Sequence, residues 1–145
     1  MHKKIQTPAL FALLLGVLLF PSCSTMKTGA EHAAVYQSYA NSLADIRLEL
    51  QENNRFDYGM TIYPEPQEPE SAVPEHFQFR GRWTTEDGNY ILLFRRRNKP
   101  DLYALFGQVG DMETNVRVIS ERRISFPVAD AEIVVWGIVC FRERE

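Results

Sequence analysis

Basic side chains gather on two neighbouring predicted strands, and they are the residues whose types and spacing favour a chemical role. Arg80 and Arg82 lie on the first strand, and Arg95 and Arg97 lie at the end of the second, in "FRRRNK". Asp87-Gly88 favours a two-residue hairpin turn between the strands, because both positions accept a positive φ. The four arginines should therefore face each other, directly or one register away. Like charges across a strand pair repel, so we expect something negative to neutralise this patch.

Three sources of negative charge remain open for the patch. The acidic, Pro-rich tract from Glu65 to Glu75 is the nearest in sequence. Anionic lipid headgroups are the second source, since each basic residue near an anionic surface contributes about 1 kcal/mol. An anionic ligand is the third. Arg122 and Arg123, in "SERRIS", would join the patch only in some strand registers.

Sequence motifs for catalysis or cofactor binding are missing from the chain. It has no Gly-rich phosphate loop, no Gly-x-Ser-x-Gly sequence and no His-Glu-x-x-His pair. His32, His76 and Cys140 do not stand at the spacing of a metal site, which needs three or four converging ligands. Glu86 and Asp87 lie in the predicted turn, where paired carboxylates are ordinarily solvated. We therefore expect no enzyme, no cofactor and no metal.

The N-terminus has the layout of a secretory signal peptide over residues 1–22. Lys3 and Lys4 form a positive start, residues 9–20 form an uncharged apolar run, and the small Ser22 follows. The run has about 12 residues, whereas a helix that spans a membrane needs roughly 20. A transmembrane anchor is therefore the weaker interpretation.

Cys23 comes directly after this segment. The sequence Phe20-Pro21-Ser22-Cys23 resembles the lipobox of bacterial lipoproteins. In that family the signal peptide is cut before a Cys that carries a diacylglyceryl group, so the resemblance implies that Cys23 is lipidated and ties the protein to a membrane. Ser24, in place of an acidic residue, resembles the sorting pattern of outer-membrane rather than inner-membrane lipoproteins. The alternative is a disulfide between Cys23 and Cys140, the other Cys of the chain.

Length and charge limit the classes of protein further. A chain of 145 residues supports one ordinary domain, and 45% hydrophobic with 24% charged residues is a globular composition. The net charge is -3, and loss of Lys3 and Lys4 with the signal peptide leaves 14 basic residues against 19 acidic ones. A mildly acidic domain of this kind suggests no nucleic-acid partner.

Residues 30–54 read as an amphipathic helix that follows a short lipid tether at residues 23–29. Apolar side chains recur there at three- and four-residue spacing, and the opposite positions are polar. The apolar stripe consists of Tyr36, Tyr39, Leu43, Ile46 and Leu50. Docking on its own domain is favoured over pairing with another chain, because the repeat is too short for a coiled coil.

Residues 55–75 form an acidic, Pro-rich connection, and residues 76–145 read as an antiparallel β-domain. From Phe77 to Trp83 the apolar residues alternate with polar ones, and tight turns separate about five strands. The later strands are "LYALFGQV", the segment around "ISERRIS", which is one bent strand or a tight hairpin, and "AEIVVWGIVCF". Several of these strands are apolar on both faces, so the sheet should curl or be covered by the helix. We expect an α+β fold in which the helix packs on a small, barrel-like antiparallel meander.

These features predict a non-enzymatic cell-envelope lipoprotein with a binding or structural role. Its partners would be the membrane, through the lipid at Cys23, and an envelope protein or other component. The alternative is a lipoprotein that binds a small molecule in a lipocalin-like barrel. At the level of architecture alone, the expected domain resembles lipocalin-like and copper-resistance-type lipoproteins, but it lacks the Cys-x-x-Cys of the latter.

Overall fold

The described residues, 32–39, 41–67 and 69–144 of a computed structural model, form one antiparallel sheet of nine strands and one short helix, α1. Tight turns or short loops join most consecutive strands. The elements are β1 His32–Ser38, β2 Ala44–Gln51, β3 Arg55–Ile62, β4 Glu75–Glu86, β5 Asn89–Phe94, α1 Leu102–Phe106, β6 Arg117–Ser120, β7 Arg123–Pro127, β8 Glu132–Val135 and β9 Ile138–Arg142.

The sheet is strongly curled. Its strand order is β6-β7-β5-β4-β3-β2-β1-β9-β8, so four strands lie between β1 and β7. In a flat sheet those two strands would be about 24 Å apart. The ring centroids of Tyr36 on β1 and Phe126 on β7 are 5.5 Å apart. The sheet therefore curls into a half-barrel with its core on the concave side.

Alternation along the strands builds this core. In β2 the side chains of Ala44, Ile46, Leu48 and Leu50 are buried, and the residues between them point outward. Helix α1 covers the concave side, where the ring of Phe106 lies 6.0 Å from Tyr58 and 6.4 Å from Phe94. The Asp101 carboxylate caps α1 by accepting hydrogen bonds from the Tyr103 and Ala104 amides. Because these side chains face the core, the residues that alternate with them face the outer side of the sheet.

The helix predicted over residues 30–54 is wrong, because the described part of that segment is the β1–β2 hairpin. Two members of the predicted stripe, Tyr39 and Leu43, lie in the turn and are 56% and 59% exposed. The Leu43 amide donates to the Asn41 side chain at 2.7 Å and helps to fix this turn. The sequence "ADIRLELQ" alternates strictly, and that period of two prevails because it buries every second side chain against the core.

The second half of the chain also differs from expectation. The predicted strand "LYALFGQV" contains α1, and "AEIVVWGIVCF" is two strands, β8 and β9, joined at Trp136-Gly137. Both turn residues have positive φ, 52° and 71°, the geometry of a tight hairpin that usually has Asn-Gly. Residues 117–127 form the β6–β7 hairpin, one of two arrangements that the sequence left open. The predicted connection at residues 55–75 is also wrong in part, because Arg55–Ile62 pairs with β2 and β4 as strand β3. The sheet therefore has nine strands rather than about five.

A loop covers the outer edge of β8. Thr114 Oγ1 and Asn115 Nδ2 donate to the carbonyls of Val134 and Glu132, and the Val134 amide donates to Asn115 Oδ1. These bonds satisfy backbone groups that an edge strand would otherwise expose. In the described part of the chain, no helix is long and apolar enough to cross a membrane.

Candidate anion-binding surface

The outer face of β3, β4 and β5 brings the arginines together. Arg55, the first residue of β3, pairs in register with Arg82 of β4. The Arg95 amide, just after β5, donates to the carbonyl of Arg80 at 3.0 Å. Arg80 and Arg95 therefore face each other across the β4–β5 hairpin, whose Asp87-Gly88 turn has positive φ at both residues.

Arg80 has a carboxylate partner. Its Nε lies 2.6 Å from Oδ1 of Asp57, which stands opposite Arg80 on β3. The other oxygen of Asp57 accepts a hydrogen bond from Gln51 at 2.8 Å, so the carboxylate is held in place. The counter-charge of Arg80 thus comes from Asp57 on β3.

The acidic tract does not supply the counter-charge within the described residues. Glu65, Glu70 and Glu75 make no ion pair with the arginines of this surface, and Glu68 lies outside the described residues. Glu75 begins β4, at the end of the sheet opposite to the β4–β5 turn. Glu75 is therefore too far from Arg82 along β4 to pair with it.

Four arginines meet at one groove of about 270 Å³, which we call the arginine groove. Its arginines come from separate parts of the chain: β3, β4, the end of β5 and the β6–β7 turn. Within the described residues none of them has a carboxylate within 4.0 Å. The groove is lined by Arg55, Arg82, Arg95 and Arg122 together with Gly81, Leu93 and Phe94.

Arg122 is the most firmly placed of the four. Its Nε donates to the carbonyl of Phe94 at 3.0 Å, and its amide donates to Ser120 Oγ. The neighbouring Arg123 points to another partner, the carboxylate of Glu86 at 3.2 Å. Of the "SERRIS" pair, therefore, only Arg122 joins the surface, and no described carboxylate lies within 4.0 Å of its guanidinium nitrogens.

Gly81 shapes the floor of the groove. A Cβ on this residue would overlap the carbonyl oxygen of Leu93 and the ring of Phe56. Phe56 packs over the glycine from the inner side and stacks edge-on against Phe94, with ring centroids 4.9 Å apart. The close approach of β4 and β5 beneath the arginines therefore depends on a residue without a side chain.

A second groove, of about 420 Å³, adjoins the first. It is lined by Gln78, Arg80, Arg95, Arg97 and Asn98. Asn98 has a positive φ of 56° and donates from its side chain to the carbonyl of Gln78 at 3.1 Å. Of the four arginines predicted from the sequence, Arg82 lines the first groove, and Arg80 and Arg97 line the second. Arg95 lies between the two grooves and lines both.

A polar groove of about 510 Å³ lies farther along the same face, around Gly59. His76 Nδ1 and Thr61 Oγ1 are 3.0 Å apart there, and Asp45 is opposite Thr61 in the register. The Asp45 carboxylate already accepts a hydrogen bond from Tyr63. The described residues contain no group of three or more His, Cys, Asp and Glu side chains placed to hold a metal ion.

The other predicted site residue, Cys23, lies outside the described residues. Cys140 is a buried free thiol on β9, and burial raises its pKa to about 12. A thiol held in its protonated form is a poor nucleophile, so Cys140 acts as a small core residue.

Arg55 and Arg122 were not among the four arginines predicted to form the patch. Arg55 lies where the predicted helix over residues 30–54 meets the predicted connection over residues 55–75, so its pairing with β4 could not be predicted. For Arg122 the signal was the turn-like "SERR" between two short alternating segments, which places it next to Phe94 only once β7 pairs with β5.

No protein-family model, curated protein or solved structure matches this chain. The geometry of its own residues is therefore the basis for a functional proposal.

Proposed function

We propose that this protein is a lipid-tethered cell-envelope protein whose folded domain binds an anionic ligand, without catalysis, through the arginine groove. The observation that carries the proposal is the convergence of Arg55, Arg82, Arg95 and Arg122 from four parts of the chain on one groove. The described residues place no carboxylate within 4.0 Å of these side chains.

Electrostatics supports an external anion. The arginine groove brings four cationic side chains together, and cross-strand arginines such as Arg55 and Arg82 repel each other. This arrangement of like charges does not stabilise the fold unless an anion neutralises it. Arg80 shows the contrast, because the fold provides it with Asp57 at 2.6 Å.

The chemistry of arginine narrows the ligand to an oxyanion. The planar guanidinium donates paired N–H bonds to carboxylate or phosphate oxygens, and several such groups around one groove can surround a tetrahedral anion. The Arg122–Phe94 hydrogen bond reduces the side-chain entropy lost on binding. We therefore favour a ligand that carries phosphate or a related oxyanion.

The membrane location is proposed from the N-terminal sequence. Phe20-Pro21-Ser22-Cys23 resembles a lipobox, and Ser24 suggests the outer membrane. Cys140 is buried as a free thiol, which supports a lipid rather than a disulfide as the fate of Cys23.

A lipocalin-like role receives less support from the packing. A ligand within the curl would need space on the concave side. The rings of Phe106, Tyr58 and Phe94 pack against one another there. We therefore place the ligand on the outer face.

Two measurements test the proposal on the full chain, expressed in a bacterial host and purified in a non-ionic detergent. Intact mass should correspond to a chain that begins at Cys23 and carries diacylglycerol. Isothermal titration with inorganic phosphate, with chloride at equal ionic strength as the reference, should give saturable binding. The variant Arg55→Gln/Arg82→Gln should lose it, whereas Arg96→Gln/Arg97→Gln removes the same charge outside the arginine groove and should retain most of it.

Each measurement can fail separately. A mass without lipid would overturn the tether. Binding that is absent, or that falls equally in both double variants, would overturn the groove as a specific anion site.

A further inference from the structure

The chain enters the described domain at the end of the sheet that holds the arginine groove. His32, the first residue of β1, pairs with Gln51, the last residue of β2. After a short turn the chain resumes at Arg55, which pairs with Arg82. One row of the sheet therefore connects the point where the tether joins the domain to two arginines of the groove.

Distances along this row are short. Three strand spacings separate β1 from β4, which corresponds to about 15 Å along the sheet. The nine residues from Cys23 to Glu31 can extend at most about 30 Å. A lipid on Cys23 thus keeps Arg55 and Arg82 within reach of the phosphates of the membrane in which that lipid is inserted.

We propose that the arginine groove binds the phosphate of anionic lipid headgroups and docks this end of the sheet on the membrane to which the protein is tethered. This inference rests on the proposed lipid at Cys23 and on the proposed oxyanion ligand, and it identifies the source of that ligand. Tethering raises the effective headgroup concentration at the groove, so even weak individual contacts suffice for docking.

The opposite end of these strands provides an internal comparison. Val73, in the connection between β3 and β4, is 75% exposed and lies at that other end. Thr84 is exposed on the outer face of β4, two positions from Arg82. A docked domain holds position 84 near the headgroups and position 73 away from them, and this arrangement depends on anionic lipid. In an undocked domain the tether alone sets the two distances, which then do not depend on the headgroup charge.

The experiment uses the full lipidated chain with Thr84→Cys or Val73→Cys, each labelled with a fluorophore. Lipidation blocks Cys23 and Cys140 is buried, so the new Cys is the reactive one. The protein is reconstituted in vesicles of phosphatidylcholine, with or without about 30% phosphatidylglycerol, that contain a nitroxide quencher on the headgroup. Quenching reports the approach of the label to the membrane surface.

We expect stronger quenching at position 84 with phosphatidylglycerol than without it, no such increase at position 73, and loss of the increase at about 0.5 M salt, where screening is strong. Arg55→Gln/Arg82→Gln should lower the docking equilibrium constant about 30-fold, since two basic contacts are removed. Arg96→Gln/Arg97→Gln should change it much less. Added inorganic phosphate should compete with docking.

An equal increase in quenching at positions 73 and 84, or an equal loss in both double variants, would overturn the docking as an effect of the groove. A groove that binds inorganic phosphate but gives no response to phosphatidylglycerol would assign the site to a soluble phosphate compound and likewise overturn it. Intact mass separates these results from failure of the tether, because a chain without lipid would be recognised before reconstitution.

Discussion

Arg55 and Arg82 stand directly opposite each other on neighbouring strands, and the described residues offer neither of them a carboxylate. Like charges at paired positions weaken a sheet, by roughly 0.2–1 kcal/mol. The repulsion between these two arginines therefore lowers the free energy of unfolding, and a bound anion would relieve it.

Arg82→Glu should make the folded domain more stable and abolish phosphate binding. The new carboxylate would face Arg55 and replace a repulsion by an ion pair, which should raise the free energy of unfolding by about 0.5 kcal/mol. Urea denaturation and phosphate titration measure the two effects. Arg82→Gln, which removes the repulsion without adding a pair, should be intermediate in stability. A lower free energy of unfolding in Arg82→Glu would contradict the inference that Arg55 and Arg82 destabilise the sheet by repulsion.

Asp57→Asn should release Arg80 from its ion pair and add one available positive charge beside the groove. We expect phosphate to bind about threefold more tightly, as for one extra charge at a solvated surface. The free energy of unfolding should fall by about 0.5 kcal/mol, because the pair is partly exposed. Asp45→Asn lies on the same face but away from the groove, so it should leave phosphate binding unchanged. Equal tightening by both variants would indicate a general effect of net charge.

Gly81→Ala should destabilise the domain by about 2–3 kcal/mol, because overpacking forces neighbouring atoms to move. The added Cβ overlaps a backbone oxygen of Leu93 and the ring of Phe56. Gly59→Ala on β3 is the control, since the Cβ at this position would point to the outer face and meet nothing within 4 Å. Urea unfolding should show a change within about 0.5 kcal/mol for the control. Equal effects would contradict the close packing of β4 on β5.

Stability should decline in alkali. Burial raises the pKa of Tyr36 and of Cys140 to about 12, from 10.0 and 9.0, and raises that of Tyr58 as well. Between pH 9 and 12 the folded chain keeps protons that the unfolded chain releases. The free energy of unfolding therefore falls as the pH rises, by at most about 1.4 kcal/mol per pH unit for each group.

Urea denaturation at pH 8 to 11 would measure this decline, and the curve should be flatter in Tyr58→Phe than in the parent chain. A stability that stays constant up to pH 11 would contradict burial of these hydroxyl and thiol groups.

The sequence was informative where one local pattern dominated. Asp87-Gly88 specified a hairpin because its backbone geometry excludes most alternatives. Alternation predicted β4, and β5 followed as the strand after the turn. In the segment around Ile46 and Leu50 the spacing of the apolar residues fits both the period of a helix and the period of a strand. Only the presence of β1 and β3 as neighbours selects the strand, because pairing with them satisfies its backbone groups.

The candidate site was partly visible for the same reason. Arg80, Arg82 and Arg95 belong to one local hairpin, whose pairing a turn predicts. Arg55 and Arg122 reach the groove through pairing with strands that are distant in sequence. Whether an arginine is neutralised also depends on this pairing, as the contact between Arg80 and Asp57 illustrates.

The amino-acid sequence by itself determined the β-rich curled domain, the Asp87-Gly88 hairpin and the basic character of its two strands, because these depend on alternation and turn residues close in sequence. Tertiary structure alone decided that His32–Ser38 and Ala44–Gln51 extend as strands, that four arginines share one groove, and that His32 lies in the same row of the sheet as Arg55 and Arg82. Those outcomes depend on strand register between distant segments, which is set by the burial of a common core.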